Sequence, residues 1–87
     1  MDDGEKLLSR MRTSRAGWSE RDIEKLLTSF GFTFRQATHG RLYYHPSYPQ
    51  LALNVAHRRE LGKYYITASV KLIDDLKKLE IQHERKS

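Results

Sequence analysis

A complete set of helix signals lies between Ser19 and Gly31, and the hydrophobic period changes from that of a helix to that of a strand directly afterwards. Ser19 is a favourable N-cap, and Asp22 is placed three residues later, where it can close a capping box. Apolar residues then follow the spacing of one buried helix face: Ile23, Leu26, Leu27 and Phe30. Gly31 supplies the C-terminal stop. A change of period within so short a chain predicts an α+β fold.

Three short segments with alternating hydrophobicity follow this helix. Residues 32–37, 41–45 and 51–56 are predicted to be strands, with His39-Gly40 as the turn between the first two. The two prolines in residues 46–49 predict a connection there, because proline cannot donate a hydrogen bond within a ladder. Short links favour three consecutive antiparallel strands.

A closing helix is predicted from one face of regularly spaced apolar residues: Ile66, Val70, Ile73 and Leu76. Residues 1–17 contain few apolar residues and are predicted to be a mobile tail that contributes little to stability. A short helix from Glu5 to Arg12 is possible there, but its apolar face is too narrow to require one. Residues 81–87 are predicted to fray. The sequence therefore predicts a single domain over residues 18–80. Its order is α-β-β-β-α, with two helices packed on one face of a three-stranded antiparallel sheet.

The positive charge of the chain is concentrated in its centre. Residues 31–71 hold six basic residues and one acidic residue, which accounts for the whole formal surplus of +5 among the 87 residues. Three histidines, His39, His45 and His57, lie in the same segment. A focused basic surface of this kind favours a polyanion or an acidic protein as the partner.

Several classes of function are disfavoured by composition. The chain has no cysteine, which excludes a disulfide framework and a zinc–thiolate site. No segment has the length and apolarity of a membrane span or a secretion signal, so a cytoplasmic location is expected. The histidines lack the spacing of a helical His-x-x-x-His pair, and neither a metal site nor a cofactor is predicted.

Five groups of residues, in this order and at this spacing, resemble the HicA toxins: Gly31-Phe32, Arg35-Gln36, the run from His39 to Pro46, Val55-Ala56-His57 and Glu60-Leu61. These toxins are small ribonucleases of bacterial toxin–antitoxin pairs, with a fold similar to the double-stranded RNA-binding domain. The resemblance covers about residues 19–79. It implies that the chain cleaves mRNA as an endoribonuclease and is neutralised by a HicB-like antitoxin.

The catalytic histidine of that family belongs to a Gly-Ser-His motif between the first two strands. In this sequence His39 stands at the place of the serine and Gly40 at the place of the histidine. His39 is therefore the candidate general base, which would take the proton from a 2′-hydroxyl as it attacks the adjacent phosphate. His45 is predicted to be structural, capping the end of its strand. The predicted RNA contacts are Arg41, Tyr43, His57, Arg58, Arg59 and Lys63.

Two other functions remain open on the sequence. The first is a non-catalytic module that binds RNA or another nucleic acid through the same fold and basic surface. The second is a protein-interaction domain whose basic surface binds an acidic partner. A double-stranded RNA-binding domain usually presents a cluster of lysines at the start of its second helix. This chain has only Lys63 before Tyr64 and Tyr65 there, which favours the toxin-like function.

Overall fold

The architecture is that of a computed structural model, which describes residues 3–57 and 61–86. Arg58 and Arg59, two of the predicted RNA contacts, lie outside the described residues. The elements in chain order are α1 (Asp3–Thr13), α2 (Glu20–Ser29), β1 (Thr33–Ala37), β2 (Gly40–His45), β3 (Tyr48–Ala56) and α3 (Lys63–Lys86). The strands form an antiparallel sheet in the order β1-β2-β3. The α+β class and the sheet are thus confirmed, while the order becomes α-α-β-β-β-α.

Helix α2 begins and ends where its sequence signals predict. The Ser19 hydroxyl accepts a hydrogen bond from the Asp22 amide at 3.3 Å, and the Asp22 carboxylate accepts one from the Ser19 amide at 2.9 Å. This reciprocal capping box satisfies two amides that the first turn leaves unpaired. Gly31 follows the helix with a φ of 92°, a conformation that glycine adopts without the strain of a side chain.

We expect the change Ser19→Ala to lower the free energy of unfolding by about 1 kcal/mol, because the Asp22 amide loses its acceptor. Urea denaturation of the wild type and the variant measures this difference. The matched control is Ser29→Ala, since the Ser29 hydroxyl bonds only to the Lys25 carbonyl within the last turns of α2. If both variants lost the same free energy of unfolding, the capping hydrogen bond of Ser19 would contribute no more than the hydroxyl of Ser29.

The sheet has one face in the core and one open face. Tyr43 of β2 pairs with Phe34 of β1 and Leu53 of β3, and these residues share the inner face. Tyr43, Leu53 and Val55 belong to the hydrophobic cluster that also contains the buried residues of the helices. The alternation predicted for β2 is therefore correct, and Tyr43 is on the side that faces the core. The open face holds a shallow groove of about 260 Å³ lined by Arg35, Leu42, Tyr44, Pro49 and Ala52.

The predicted connection over residues 46–49 is wrong in its second half, because β3 begins at Tyr48 and includes Pro49. The ladder between β2 and β3 is irregular at this point: Tyr44 pairs with Ala52, but His45 pairs with Tyr48. Residues 49–51 have no partner in this register, and β3 is an edge strand. Pro49 can therefore lie in the strand, since no ladder bond needs its missing amide hydrogen.

The predicted N-terminal tail is also wrong, because residues 3–13 form α1 and contribute to the core. Leu7, Leu8 and Met11 are 7%, 2% and 0% exposed and belong to the main hydrophobic cluster. Two ion pairs fix α1 to α3: Lys77 binds Glu5 at 3.0 Å, and Arg12 binds Asp74. Three buried apolar residues are enough to attach α1 to the core, because the helix contacts both α2 and α3.

Helix α3 is longer than predicted. The expected buried face is confirmed, since Ile66, Val70, Ile73 and Leu76 are all buried. The helix continues to Lys86 through most of the segment predicted to fray, and Ser87 lies outside the described residues. Its sequence contains neither glycine nor proline, the residues that end helices most effectively. None of the helices in the described ranges combines the length and apolarity needed to cross a membrane.

Candidate functional site

Two of the predicted site residues, His39 and His57, meet at one end of the sheet. His39 lies in the exposed turn between β1 and β2, and His57 directly follows β3. The His57 amide donates a hydrogen bond to the His39 carbonyl at 3.3 Å, so the two backbones are in contact. The antiparallel pairing of β2 with β3 produces this contact, since it places Gly40 opposite Ala56. The ladder therefore brings the backbones of two histidines together at one end of the sheet.

His57 is held by a carboxylate from another element. Its Nδ1 lies 3.0 Å from Oε1 and 3.2 Å from Oε2 of Glu20, the first residue of α2. A carboxylate accepts this hydrogen bond, so Nδ1 is the donor, and in the neutral form of the imidazole Nε2 is then the acceptor. The His57 side chain is 51% exposed, so that acceptor is accessible to a ligand. A histidine oriented by a carboxylate is a common arrangement for a general base.

Glu20 is the residue of this candidate site that sequence reasoning missed. Its negative charge at the start of a helix accounts for its presence there without any further role. The hydrogen bond to His57 spans 37 residues, and no local pattern signals a contact over that separation. His57 is thereby held against the start of α2, and its predicted contact with RNA stays a prediction.

Arg41 is not free to bind phosphate in the way predicted. One guanidinium nitrogen forms an ion pair with Glu24, and Nε lies 3.6 Å from Glu20. The guanidinium carbon also lies 4.3 Å from the centroid of the Phe34 ring, within the range of a cation–π contact. Since two carboxylates compensate its charge, the main role of Arg41 is to fix α2 against β2.

A polar groove of about 430 Å³ joins these groups and is lined by Glu20, Arg21, Glu24, Arg41 and His57. The Arg41 Nε is buried and has no hydrogen-bond partner among the described residues. The same nitrogen lies 3.6 Å from the Glu20 carboxylate, and the neighbouring Tyr43 hydroxyl helps to raise the pKa of Arg41. The groove therefore presents the exposed His57 imidazole beside charges that are largely compensated.

The prediction that Tyr43 contacts RNA is wrong, because the residue has no exposed surface. Its ring is fully buried and lies 5.3 Å from the Phe34 ring, inside the core. Burial raises the pKa of the Tyr43 phenol, and the Arg41 guanidinium partly opposes this shift. The error has a simple cause: alternation shows which residues share a face of β2, but it does not show which face is covered.

His45 has the structural role predicted for it. Its Nδ1 accepts a hydrogen bond from the Ser47 amide at 3.1 Å, which closes the turn after β2. The imidazole also packs edge-on against Phe32 at 5.1 Å. Lys63, in contrast, is exposed at the first residue of α3, where a cation remains accessible to an anionic ligand.

No family model, no curated protein and no solved structure matches this chain. The resemblance to the HicA toxins consequently rests on the quoted residues alone.

Proposed function

We propose that this protein is an endoribonuclease of the HicA type that cleaves mRNA without a metal ion. His57 acts as the general base: its Nε2 takes the proton of a ribose 2′-hydroxyl, and the 2′-oxygen attacks the adjacent phosphorus. His39 acts as the general acid and protonates the 5′-oxygen as its bond to phosphorus breaks. The products are a 2′,3′-cyclic phosphate and a free 5′-hydroxyl. This assignment moves the base from His39 to His57 and gives His39 the second proton transfer.

The single observation that carries this proposal is the contact between the His39 and His57 segments, combined with the hydrogen bond from His57 to Glu20. Phosphate transfer within RNA needs one group that accepts a proton and another that donates one, both near neutral pH. Two histidines in adjacent segments meet that requirement. The carboxylate of Glu20 supports the assignment of His57 as base, because it fixes the imidazole with Nε2 as the acceptor.

Binding of the RNA backbone is assigned to the cations near this site. Lys63 stands at the start of α3, where the helix dipole also favours an anion. Arg58 and Arg59 follow His57 in the sequence and would add two further phosphate contacts. We propose that the protein acts in the cytoplasm and that a HicB-like antitoxin neutralises it by covering this basic end.

Cleavage of a labelled RNA by the purified protein in the presence of EDTA tests the proposal. We expect fragments that end in a 2′,3′-cyclic phosphate, and we expect the same RNA carrying 2′-O-methyl groups to resist. The substituted RNA is the matched control, since it retains every phosphate and base but lacks the nucleophile. Protein that binds RNA and never cleaves it, with or without divalent metal, would instead establish the non-catalytic binding module.

A further inference from the structure

A second groove lies on the other side of the α1–α2 connection, and we propose that it binds an unpaired nucleotide of a single-stranded RNA. The groove has a volume of about 460 Å³ and is lined by Ser9, Arg10, Thr13, Ser14, Ala16, Gly17 and Trp18. The inference rests on the proposed function only in taking RNA as the ligand. It assigns a binding subsite to residues between 9 and 18, all of which lie outside the resemblance to the HicA toxins.

The wall of this groove presents an aromatic ring beside a cation. The Trp18 ring is half-buried against the hydrophobic core, and the Arg10 guanidinium carbon lies over it, 5.3 Å from its centroid. A base therefore stacks on the indole when Arg10 turns aside toward the phosphate. The Trp18 indole N–H donates to the Ser14 carbonyl at 2.8 Å, which fixes the orientation of the ring in a groove that is open to solvent. Aromatic rings held in this way bind unpaired bases by stacking, and neighbouring arginines bind the phosphates.

The charges around the groove favour an anionic ligand. Arg10 is the only charged residue that lines it, and Arg10 is exposed. Arg15 adds a second positive charge, because its described partner is the neutral hydroxyl of Thr67 at 3.1 Å. The last carbonyls of α1 carry partial negative charge, which excludes phosphate from the floor. The base therefore faces the indole, and the phosphate lies at the rim beside Arg10 and Arg15.

The groove and the histidine site are adjacent along the chain. The Trp18 carbonyl accepts a hydrogen bond from the Leu61 amide at 3.1 Å, which ties this segment to the start of α3. Glu20, which holds His57, is two residues beyond Trp18 and therefore at most about 7 Å away along the backbone. A strand whose phosphate is bound at the histidine site can thus place a neighbouring base on Trp18. Because both faces of a base inside a duplex are covered by the stacked neighbouring bases, the subsite selects single-stranded RNA over a duplex.

The chain contains one tryptophan, so its fluorescence reports on this groove alone. The probe is a short 2′-O-methyl RNA oligonucleotide, which cannot be cleaved, and it is titrated against the intact protein. We expect saturable quenching of Trp18 by the single strand and little quenching by the same sequence in a duplex. Arg10→Ala should weaken the binding about threefold to tenfold and reduce the slope of log affinity against log salt by about 1.

The matched control is Lys78→Ala, which removes the same charge from an exposed position beside Gln50 and Leu51. It should change the affinity less than twofold.

Anisotropy of a labelled oligonucleotide measures total binding in parallel. Binding by anisotropy without quenching would overturn the subsite and leave the proposed function standing. Quenching without any cleavage of unmodified RNA would establish the subsite while refuting the ribonuclease. Quenching by polyglutamate but not by RNA would overturn it in favour of an acidic protein partner.

Discussion

The change His57→Ala is expected to lower the rate of RNA cleavage by about 10²–10⁴-fold, the usual contribution of a general base. The reason is the geometry at Glu20, which leaves the His57 Nε2 as the acceptor for the 2′-hydroxyl proton. His39→Ala should lower the cleavage rate by a similar factor, because the leaving 5′-oxygen would lose its proton donor. Single-turnover cleavage of a labelled RNA measures both effects, and the wild-type rate should follow a bell-shaped dependence on pH.

The control for these variants is His83→Ala, which removes an exposed imidazole of α3 and should leave the cleavage rate unchanged. RNA binding and the thermal transition of the His57→Ala protein should remain close to those of the wild type, since His57 is half exposed. A loss of only a few-fold for both His39→Ala and His57→Ala would contradict the acid–base assignment.

Removal of residues 1–13 is expected to abolish cooperative unfolding or to lower the free energy of unfolding by several kcal/mol. A single change in the same helix, Met11→Ala, should lower it by about 2–5 kcal/mol, because Met11 is fully buried and its removal leaves a cavity. That amount is a large fraction of the roughly 5–15 kcal/mol that stabilises a small domain. Thermal and urea denaturation measure both effects.

The matched control on the same helix is Lys6→Ala. Lys6 is exposed, so its substitution should change the free energy of unfolding by less than about 0.5 kcal/mol. If the protein without residues 1–13 kept the thermal transition of the intact chain, α1 would not be part of the core.

The features predicted correctly from the sequence are those with local signals. The capping box at Ser19, the glycine after α2 and the strand alternation each depend on residues within a few positions of one another. Helix α1 was missed because its apolar strip is narrow, and its stability depends on docking to α2 and α3. Pro49 was misassigned for a related reason, since its place in β3 depends on an irregular pairing with β2.

The candidate site shows the same division. His39 and His57 were identified as chemistry-bearing residues from their sequence neighbours, and the sheet brings their segments together. Their partner Glu20 and the compensation of Arg41 by Glu20 and Glu24 depend on how α2 lies beside β2. Such contacts depend on tertiary packing, and a single sequence carries no direct signal for them.

The ion pairs between α1 and α3 have a consequence for the order in which the protein folds during synthesis. They join residues 62 and 72 positions apart, Arg12 with Asp74 and Glu5 with Lys77. Helix α1 leaves the ribosome first, yet it cannot complete its docking until the second half of α3 has also emerged. The core therefore closes late in translation. A nascent chain would carry both histidines well before it has the folded scaffold that orients them.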